Sequence, residues 1–163
     1  MKIMIFGDTA SGKSIFADRL GKKLSPPVIH LDELMDQIGR EKRINIGEEI
    51  KKLVNSNNWI IEGNAFTKDP DYRIRNADLI FIFEAHSIIT FIRHITRYIK
   101  LQLGWEKRIG SQNYKLNLEY FIPYIFIKFP RRREKAAKLA ESFGKNTVYF
   151  HNFSELEQYL EKT

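Results

Sequence analysis

The sequence contains no cysteine, which excludes disulfide bonds and thiolate metal sites. Histidine is scarce as well: the four His residues have no metal-ligand spacing, and their apolar settings favour structural imidazoles. Long hydrophobic runs are missing. The most apolar later stretches, residues 79–83 and 121–127, are too short to span a bilayer, and the N-terminal apolar run stops too early for a signal peptide. We therefore expect a cytoplasmic protein that makes no membrane contact.

Positive charge is concentrated in one part of the chain. The 163 residues carry a net charge of +7, and 43% are hydrophobic, which suits a single globular domain over residues 1–163. Residues 93–138 contain 12 Lys and Arg but only 3 Asp and Glu. A solvated surface is the usual explanation for such a segment, and an anionic ligand is the more specific one. Outside it, Arg73 and Arg75 are expected to form ion pairs at the surface.

A glycine-rich motif near the N-terminus is the most specific feature. Residues 7–14 match the pattern G-x-x-x-x-G-K-[ST] and are Gly7, Asp8, Thr9, Ala10, Ser11, Gly12, Lys13 and Ser14. An apolar run precedes this phosphate loop and an amphipathic helix follows it, as a nucleotide-binding loop requires. The loop predicts that backbone N–H groups and Lys13 bind the phosphates of ATP, and that Ser14 binds Mg²⁺. The alternative is a turn that only joins a strand to a helix.

Strand and helix patterns alternate along the chain, which predicts an α/β fold with a parallel sheet flanked by helices. The expected strands are residues 2–6, 27–31, 59–62, 78–83 and 147–151. The expected helices are residues 13–24, 33–38, 41–56, 86–103 and 154–162. For the last helix we expect a capping box formed by Ser154 and Glu157.

Residues 103–133 do not follow this alternation. Aromatic and basic residues are interleaved there with glycine and proline, and no strand pattern is visible. The position suits a helical lid that closes over phosphates, and the alternative is a helical excursion that packs on the domain for stability. Within the segment, Phe129 and Pro130 are expected to stop one helix, and Arg131 to begin another.

Three carboxylates follow predicted strands, where ligands bind in open parallel sheets. Asp32 could orient an acceptor hydroxyl, or it could cap the short helix that follows it. Glu62 could meet Mg²⁺ through water, with an ordinary strand-end turn as the alternative. For Glu84, a functional role and the start of a helix are equally supported.

Arginines form a second set of candidates. Arg93 and Arg97 are four residues apart and so share one helix face. In the run 131–133, one or two side chains are expected to reach phosphate, with Arg131 and Arg132 as the catalytic candidates. A planar guanidinium suits the charge that spreads over phosphoryl oxygens during transfer.

Several segments together resemble a known family. Residues 2–7, 28–32, 59–64, 75–78 and 129–133 read KIMIFG, VIHLD, WIIEGN, RNAD and FPRRR. In this order they resemble the small adenylate-kinase-like P-loop proteins called DNA topology modulation (FlaR-type) proteins. The resemblance implies a three-layer P-loop NTPase fold, a five-stranded parallel sheet in the order 2-3-1-4-5, a helical lid and ATP binding. The family usually has Asp at the positions of Glu62 and Glu84, and residues 104–118 depart from its pattern.

These features favour an ATP- and Mg²⁺-dependent kinase that phosphorylates a small molecule such as a nucleoside, a nucleotide or another hydroxyl-bearing metabolite. Lys13, Asp32, Arg93, Arg97, Arg131 and Arg132 are its candidate catalytic residues, and Ser14 and Glu62 its candidate metal ligands. A regulatory nucleotide-binding protein that contacts DNA through the basic segment is the second hypothesis. ATP hydrolysis without an acceptor is the third.

Overall fold

Five parallel strands form the central sheet of the computed structural model, which describes residues 1–38, 46–64, 71–105 and 118–162. The strands are β1 (Lys2–Gly7), β2 (Val28–His30), β3 (Trp59–Glu62), β4 (Leu79–Phe83) and β5 (Asn146–Phe150). Their order is β2-β3-β1-β4-β5, and each neighbouring pair is parallel. The expected sheet and its order are confirmed. Four of the strands differ from the expectation by one residue at one or both ends, and β3 agrees at both ends.

Helices connect these strands. They are α1 (Lys13–Leu24), α2 (Leu31–Ile38), α3 (Ile46–Val54), α4 (Asp71–Asn76), α5 (Ser87–Gln102), α6 (Leu118–Pro123), α7 (Phe129–Ser142) and α8 (Phe153–Lys162). Of the helix expected at 41–56, residues 41–45 lie outside the described residues. The short α4 was not expected, since its six residues leave almost no periodic pattern. Within the part of the chain that is described, no helix has the length and apolar character needed to cross a membrane.

The sheet is covered on both faces because side chains alternate along β1. Met4 and Phe6 point to one face, where they belong to a cluster with residues of α3, α4 and α7. Ile3 and Ile5 point to the other face, where they belong to a cluster with residues of α1 and α8. All four side chains are fully buried. The central strand is thus the middle of three layers, and the segment that follows it begins at the centre of the domain.

The segment 118–142 is one helical run, so the expected stop at Phe129 and Pro130 was wrong. A π-helical turn (Tyr124–Lys128) joins α6 to α7, and the N–H of Phe129 donates to the carbonyl of Tyr124. Pro130 lies in the first turn of α7, where a missing N–H and a fixed φ are tolerated. Residues 106–117 of the expected lid lie outside the described residues. Phe126 packs against Phe91 of α5, with 6.1 Å between ring centroids.

The cap of α8 also differs from the expectation. The N–H of Glu155 donates to Asn152 Oδ1 at 3.0 Å, and the Glu155 carboxylate accepts from the N–H of His151 at 2.8 Å. This reciprocal cap lies two residues before the expected capping box, and its carboxylate accepts from the N–H of the residue before Asn152 rather than from that of Asn152 itself. Glu157 instead forms an ion pair with Arg19 of α1, which ties α8 to α1.

Candidate functional site

The phosphate loop lies at the carboxyl end of the central strand, between Gly7 of β1 and Lys13 of α1. Gly7 has a φ of 140°, and a Cβ there would lie 2.2 Å from the carbonyl oxygen of Phe83, so only glycine fits. Ala10 and Gly12 also have positive φ, at 54° and 93°. The N-cap residue of α1 is Gly12, which has no side chain to cap the helix. The usual cap acceptor is therefore missing at the place where an anion would bind.

Neighbouring strands hold the first residues of the loop. Asn64, two residues after β3, exchanges two hydrogen bonds with the backbone of Gly7. On the other side, the N–H of Asp8 donates to the carbonyl of Phe83 at 2.8 Å. The Asp8 carboxylate accepts from the N–H of Ala85 at 2.7 Å. The loop is thus attached to the ends of both strands that flank β1.

Lys13 is a buried cation at the base of the loop. Its side chain is 7% exposed, and Nζ donates to the backbone carbonyl of Asp8 at 2.6 Å and to Ser11 Oγ at 3.4 Å. Burial lowers the pKa of Lys13, and the carboxylates of Glu62, Asp8 and Asp32 oppose this shift. A desolvated ammonium group gains most from an additional anion, so the site is suited to a phosphate.

Glu62 connects the loop to β2 and α1. Its Oε2 accepts from Ser14 Oγ at 3.1 Å and from His30 Nδ1 at 3.0 Å, and His30 Nε2 lies 3.0 Å from Asp18 Oδ1. The hydrogen bond to Glu62 raises the pKa of His30 to about 9 against the effect of burial, so both ring nitrogens donate at neutral pH. Burial alone would raise the pKa of Glu62, but the His30 hydrogen bond and the Lys13 charge lower it. The sequence interpretation missed this role of His30.

Asp32 lies in the first turn of α2, which begins at Leu31, so it does not cap that helix. Part of its side chain faces solvent. Surrounding protein atoms raise the pKa of Asp32, the nearby Glu62 carboxylate raises it further, and Lys13 opposes the shift. The carboxylate therefore interacts electrostatically with both Glu62 and Lys13, at a position that a solute can reach.

A cavity of about 520 Å³ opens above the loop. Residues 10–15 form one wall of this loop cavity, and α5 forms another with Ile92, Arg93, Thr96, Arg97 and Lys100. Phe153, at the start of α8, closes the side next to Gly12, with ring carbon Cε2 3.6 Å from the position of a Cβ there. The spacing of Arg93 and Arg97 thus does place both on the face of α5 that is turned to the loop.

The arginine run of α7 is arranged differently from the expectation. Arg131 lines a second cavity of about 600 Å³ beside Glu84, and Arg132 is exposed. Neither lines the loop cavity. Arg133 instead contacts the loop, where Nη1 donates to Asp8 Oδ2 at 2.9 Å and Nη2 to Glu84 Oε1 at 2.7 Å. Successive residues of a helix are about 100° apart, so only one of three adjacent side chains can face the loop.

Arg73 is not a surface residue, so the expected surface ion pair was wrong. It is fully buried, and Nη1 donates to the carbonyl of Gly63 at 3.2 Å. Burial lowers its pKa to about 10. Its neighbour Arg75 is exposed and lies over the ring of Phe143, 4.8 Å from the centroid. Ala77, buried directly after α4, donates its N–H to the carbonyl of Arg73, but a six-residue helix is too short for its buried face to be recognised in a sequence.

Comparison with known proteins identifies a fold and no sequence family. No protein-family model matches the chain, and no curated protein sequence matches it significantly. The structure is similar to shikimate kinase from Bacteroides thetaiotaomicron, with a TM-score of 0.62 and 16% identity over 99% of this chain and 95% of that one. It is also similar to shikimate kinase from Aquifex aeolicus, with a TM-score of 0.60 and 17% identity over 99% of this chain and 93% of that one. At such identities the similarity shows the fold alone, which is that of P-loop kinases.

Proposed function

We propose that the protein is a cytoplasmic ATP- and Mg²⁺-dependent kinase that transfers the γ-phosphoryl group of ATP to a hydroxyl group of a small molecule. One observation carries the proposal: a buried lysine of a complete phosphate loop interacts electrostatically with the carboxylates of Glu62, Asp8 and Asp32 and lines a cavity whose other wall, on α5, carries cations. Phosphoryl transfer requires positioning and charge stabilisation more than covalent chemistry by the protein, and these groups supply both. The similar shikimate kinases support the proposal through their shared fold.

The loop cavity suits a nucleoside triphosphate. Its volume of about 520 Å³ lies in the range of small-ligand sites. Lys13 and the first N–H groups of α1 would bind the phosphates, and the partly exposed side chains of Ile15, Ile92 and Phe153 offer apolar surface for a base. Arg93 and Arg97 would neutralise charge on the group being transferred.

Ser14 and Glu62 fit Mg²⁺, because a hydroxyl and a carboxylate oxygen already lie 3.1 Å apart beside the phosphate loop. Bound there, the ion would neutralise charge on the β- and γ-phosphates. Among the described residues, no three His, Asp or Glu side chains converge on a common cation position. That arrangement is typical of a metal that phosphates and water help to hold.

Asp32 is the proposed partner of the acceptor. Its carboxylate can accept a hydrogen bond from the attacking hydroxyl and so fix the direction of that oxygen toward the phosphate. Its raised pKa makes it a better proton acceptor than an ordinary aspartate. The proposed acceptor is a nucleoside, a nucleotide or another hydroxyl-bearing metabolite.

The test is a screen of a metabolite library for acceptor-dependent release of ADP, with Lys13→Ala as the blank. We expect one class of hydroxyl compound to stimulate ADP release in the wild type and in Lys22→Ala, which changes an exposed lysine of α1. We expect no stimulation with Lys13→Ala, and an unchanged circular dichroism spectrum. Full turnover by Lys13→Ala would refute the mechanism.

Direct contact with DNA is the second candidate function. With it we propose membership of the DNA topology modulation proteins, which the sequence resembles. The observation in its favour is that Arg131 and Arg132 are exposed side by side on α7. Binding to phosphates of a duplex would weaken steeply with salt, and neutralising both arginines would reduce the slope by about 2. A kinase without a DNA role shows negligible duplex affinity in wild type and variant alike.

A further inference from the structure

Arg133 of α7 forms ion pairs with two carboxylates at the phosphate loop, those of Asp8 and Glu84. Its Nη1 lies 3.1 Å and 2.9 Å from the two carboxylate oxygens of Asp8, and its Nη2 lies 2.7 Å from Glu84 Oε1. The Arg133 and Asp8 side chains are only 17% and 6% exposed. Removing one partner of a charge pair that is shielded from water strongly destabilises the folded protein, because the other charge stays buried without a partner.

The backbone of Asp8 connects this ion pair to the rest of the phosphate loop. Its carbonyl oxygen accepts from Lys13 Nζ and from Ser11 Oγ, both at 2.6 Å. The side chain of Asp8 is thus held by α7, while its main chain holds the lysine that would bind phosphate. A displacement of Asp8 displaces the acceptor that fixes the Lys13 ammonium group.

Arg133 also lies at the end of the segment 118–133, in which α6, a π-helical turn and the start of α7 follow one another without a break. The N–H of Phe129 donates to the carbonyl of Tyr124 across the junction with α7, so a displacement of the π-helical turn is passed on to the start of α7. The guanidinium group of Arg133 therefore connects the segment 118–133 to the phosphate loop.

We propose that Arg133 is a positioning residue that sets the conformation of the phosphate loop through Asp8, and so couples the segment 118–133 to nucleotide binding. The second half of this statement rests on the proposed function; the first half does not. Glu84 holds the second nitrogen of the guanidinium group and prevents it from turning away from Asp8. A lysine at position 133 keeps the charge but has no planar fork with which to join the two carboxylates.

A different role would give different results. If Arg133 contacted the transferred phosphate directly, its loss would lower kcat and leave the conformation of the free loop unchanged. Asp8→Asn would then not reproduce the effect of changing Arg133. Positioning through Asp8 requires that the two single variants resemble each other and that their combination adds little.

The experiment compares Asp8→Asn, Arg133→Gln, Arg133→Lys and the double variant Asp8→Asn/Arg133→Gln with the wild type. Lys135→Gln, an exposed charge on the same helix, is the matched control. The first readout is amide hydrogen exchange in the free protein at residues 8, 16 and 85, whose N–H groups donate to Phe83, Gly12 and Asp8 at the two ends of the loop. We expect exchange about tenfold faster in every Asp8 and Arg133 variant and unchanged in the control. The double variant removes both charges and so remains informative if Arg133→Gln does not fold.

The second readout is the affinity for ATP with Mg²⁺, followed by KM and kcat. We expect affinity to fall and KM to rise by up to about a hundredfold, with a smaller change in kcat, and no rescue by Arg133→Lys. Unchanged loop exchange in Asp8→Asn and in the double variant overturns the proposal. A wild type that does not bind ATP refutes the proposed function, whereas faster loop exchange in the variants would still support the positioning role.

Discussion

Asn64 and Gly7 pair through a side chain in the manner of two strand residues. The N–H of Gly7 donates to Asn64 Oδ1 at 3.1 Å, and Asn64 Nδ2 donates to the carbonyl of Gly7 at 2.7 Å. Strand β3 has already ended at Glu62, so the amide extends the contact between β3 and β1 beyond the last strand residue. This pair fixes the point at which the chain leaves the sheet and enters the phosphate loop.

Asn64→Asp tests this pair with almost no change of shape. The variant loses the donor to the Gly7 carbonyl and places a carboxylate against that oxygen, so we expect it to unfold more easily by about 1–3 kcal/mol. We also expect weaker ATP binding. Urea denaturation and titration calorimetry measure the two effects, and Asn146→Asp, an exposed change at the start of β5, is the control. Equal stability of the two variants would contradict this account.

Glycine-to-alanine variants should separate backbone strain from steric clash. At Gly144 a Cβ meets nothing within 4 Å, so Gly144→Ala should cost only the strain of a positive φ, about 1–2 kcal/mol. At Gly63 the Cβ would lie 2.9 Å from Leu31 Cβ, and at Gly7 it would lie 2.2 Å from a backbone oxygen. We therefore expect the free energy of unfolding to decrease in the order Gly144→Ala, Gly63→Ala, Gly7→Ala. Chemical denaturation measures the series, and a Gly7→Ala variant as stable as Gly144→Ala would show that the strand end can move aside.

His30→Gln should lower the affinity for Mg²⁺, because Glu62 would no longer be held toward Ser14. The imidazolium holds Glu62 Oε2 toward Ser14, and outer partners of a metal-binding carboxylate affect metal affinity by roughly 10- to 100-fold. We expect the Mg²⁺ concentration for half-maximal turnover to rise by about tenfold or more, with ATP affinity in the absence of Mg²⁺ less affected. His151→Gln changes an exposed imidazole and should leave both unchanged. An unaltered Mg²⁺ requirement in His30→Gln would exclude this positioning role.

His94 should make the folded state sensitive to acid. The ring is 6% exposed and stacks on Phe121 with 3.6 Å between centroids, and burial followed by the charge of Arg97 lowers the pKa of His94 to about 4. In the unfolded chain the ring takes up a proton near its ordinary pKa of about 6.5. Stability is therefore highest above that pH and is lost as the pH falls from about 6.5 to 4, by about 3 kcal/mol at most.

Urea denaturation at pH 7.5 and at pH 4.5 measures the effect of His94 when wild type and His94→Gln are compared. The variant cannot titrate at this position, so its stability should fall less between the two pH values. Contributions from the carboxylates are common to both proteins and cancel in the comparison. An equal loss in both proteins would show that His94 is protonated without cost in the folded state.

Features set by local pattern could be predicted, and features set by long-range packing could not. The strands and the loop follow from apolar runs and glycine positions that are legible within a few residues. Arg133 could not be chosen from three adjacent arginines, because its selection depends on the rotation of α7 relative to Asp8, 125 residues away. The pairing of His30 with Glu62 likewise depends on the register of β2 against β3, which aligns the two residues. Pro130 was misinterpreted because the π-helical turn before it left no sign in the sequence.

The position of β1 at the centre of the sheet also determines when the phosphate loop can take shape. Gly7 is held by Asn64, 57 residues away in the chain. Asp8 is held by Ala85 and by Arg133, which are 77 and 125 residues away. Contacts between such distant residues form slowly, because a large loop of chain must be closed before each is made. During translation β1 emerges before both of its neighbours in the sheet and before α7. The loop therefore takes its final shape only after α7 has been synthesised.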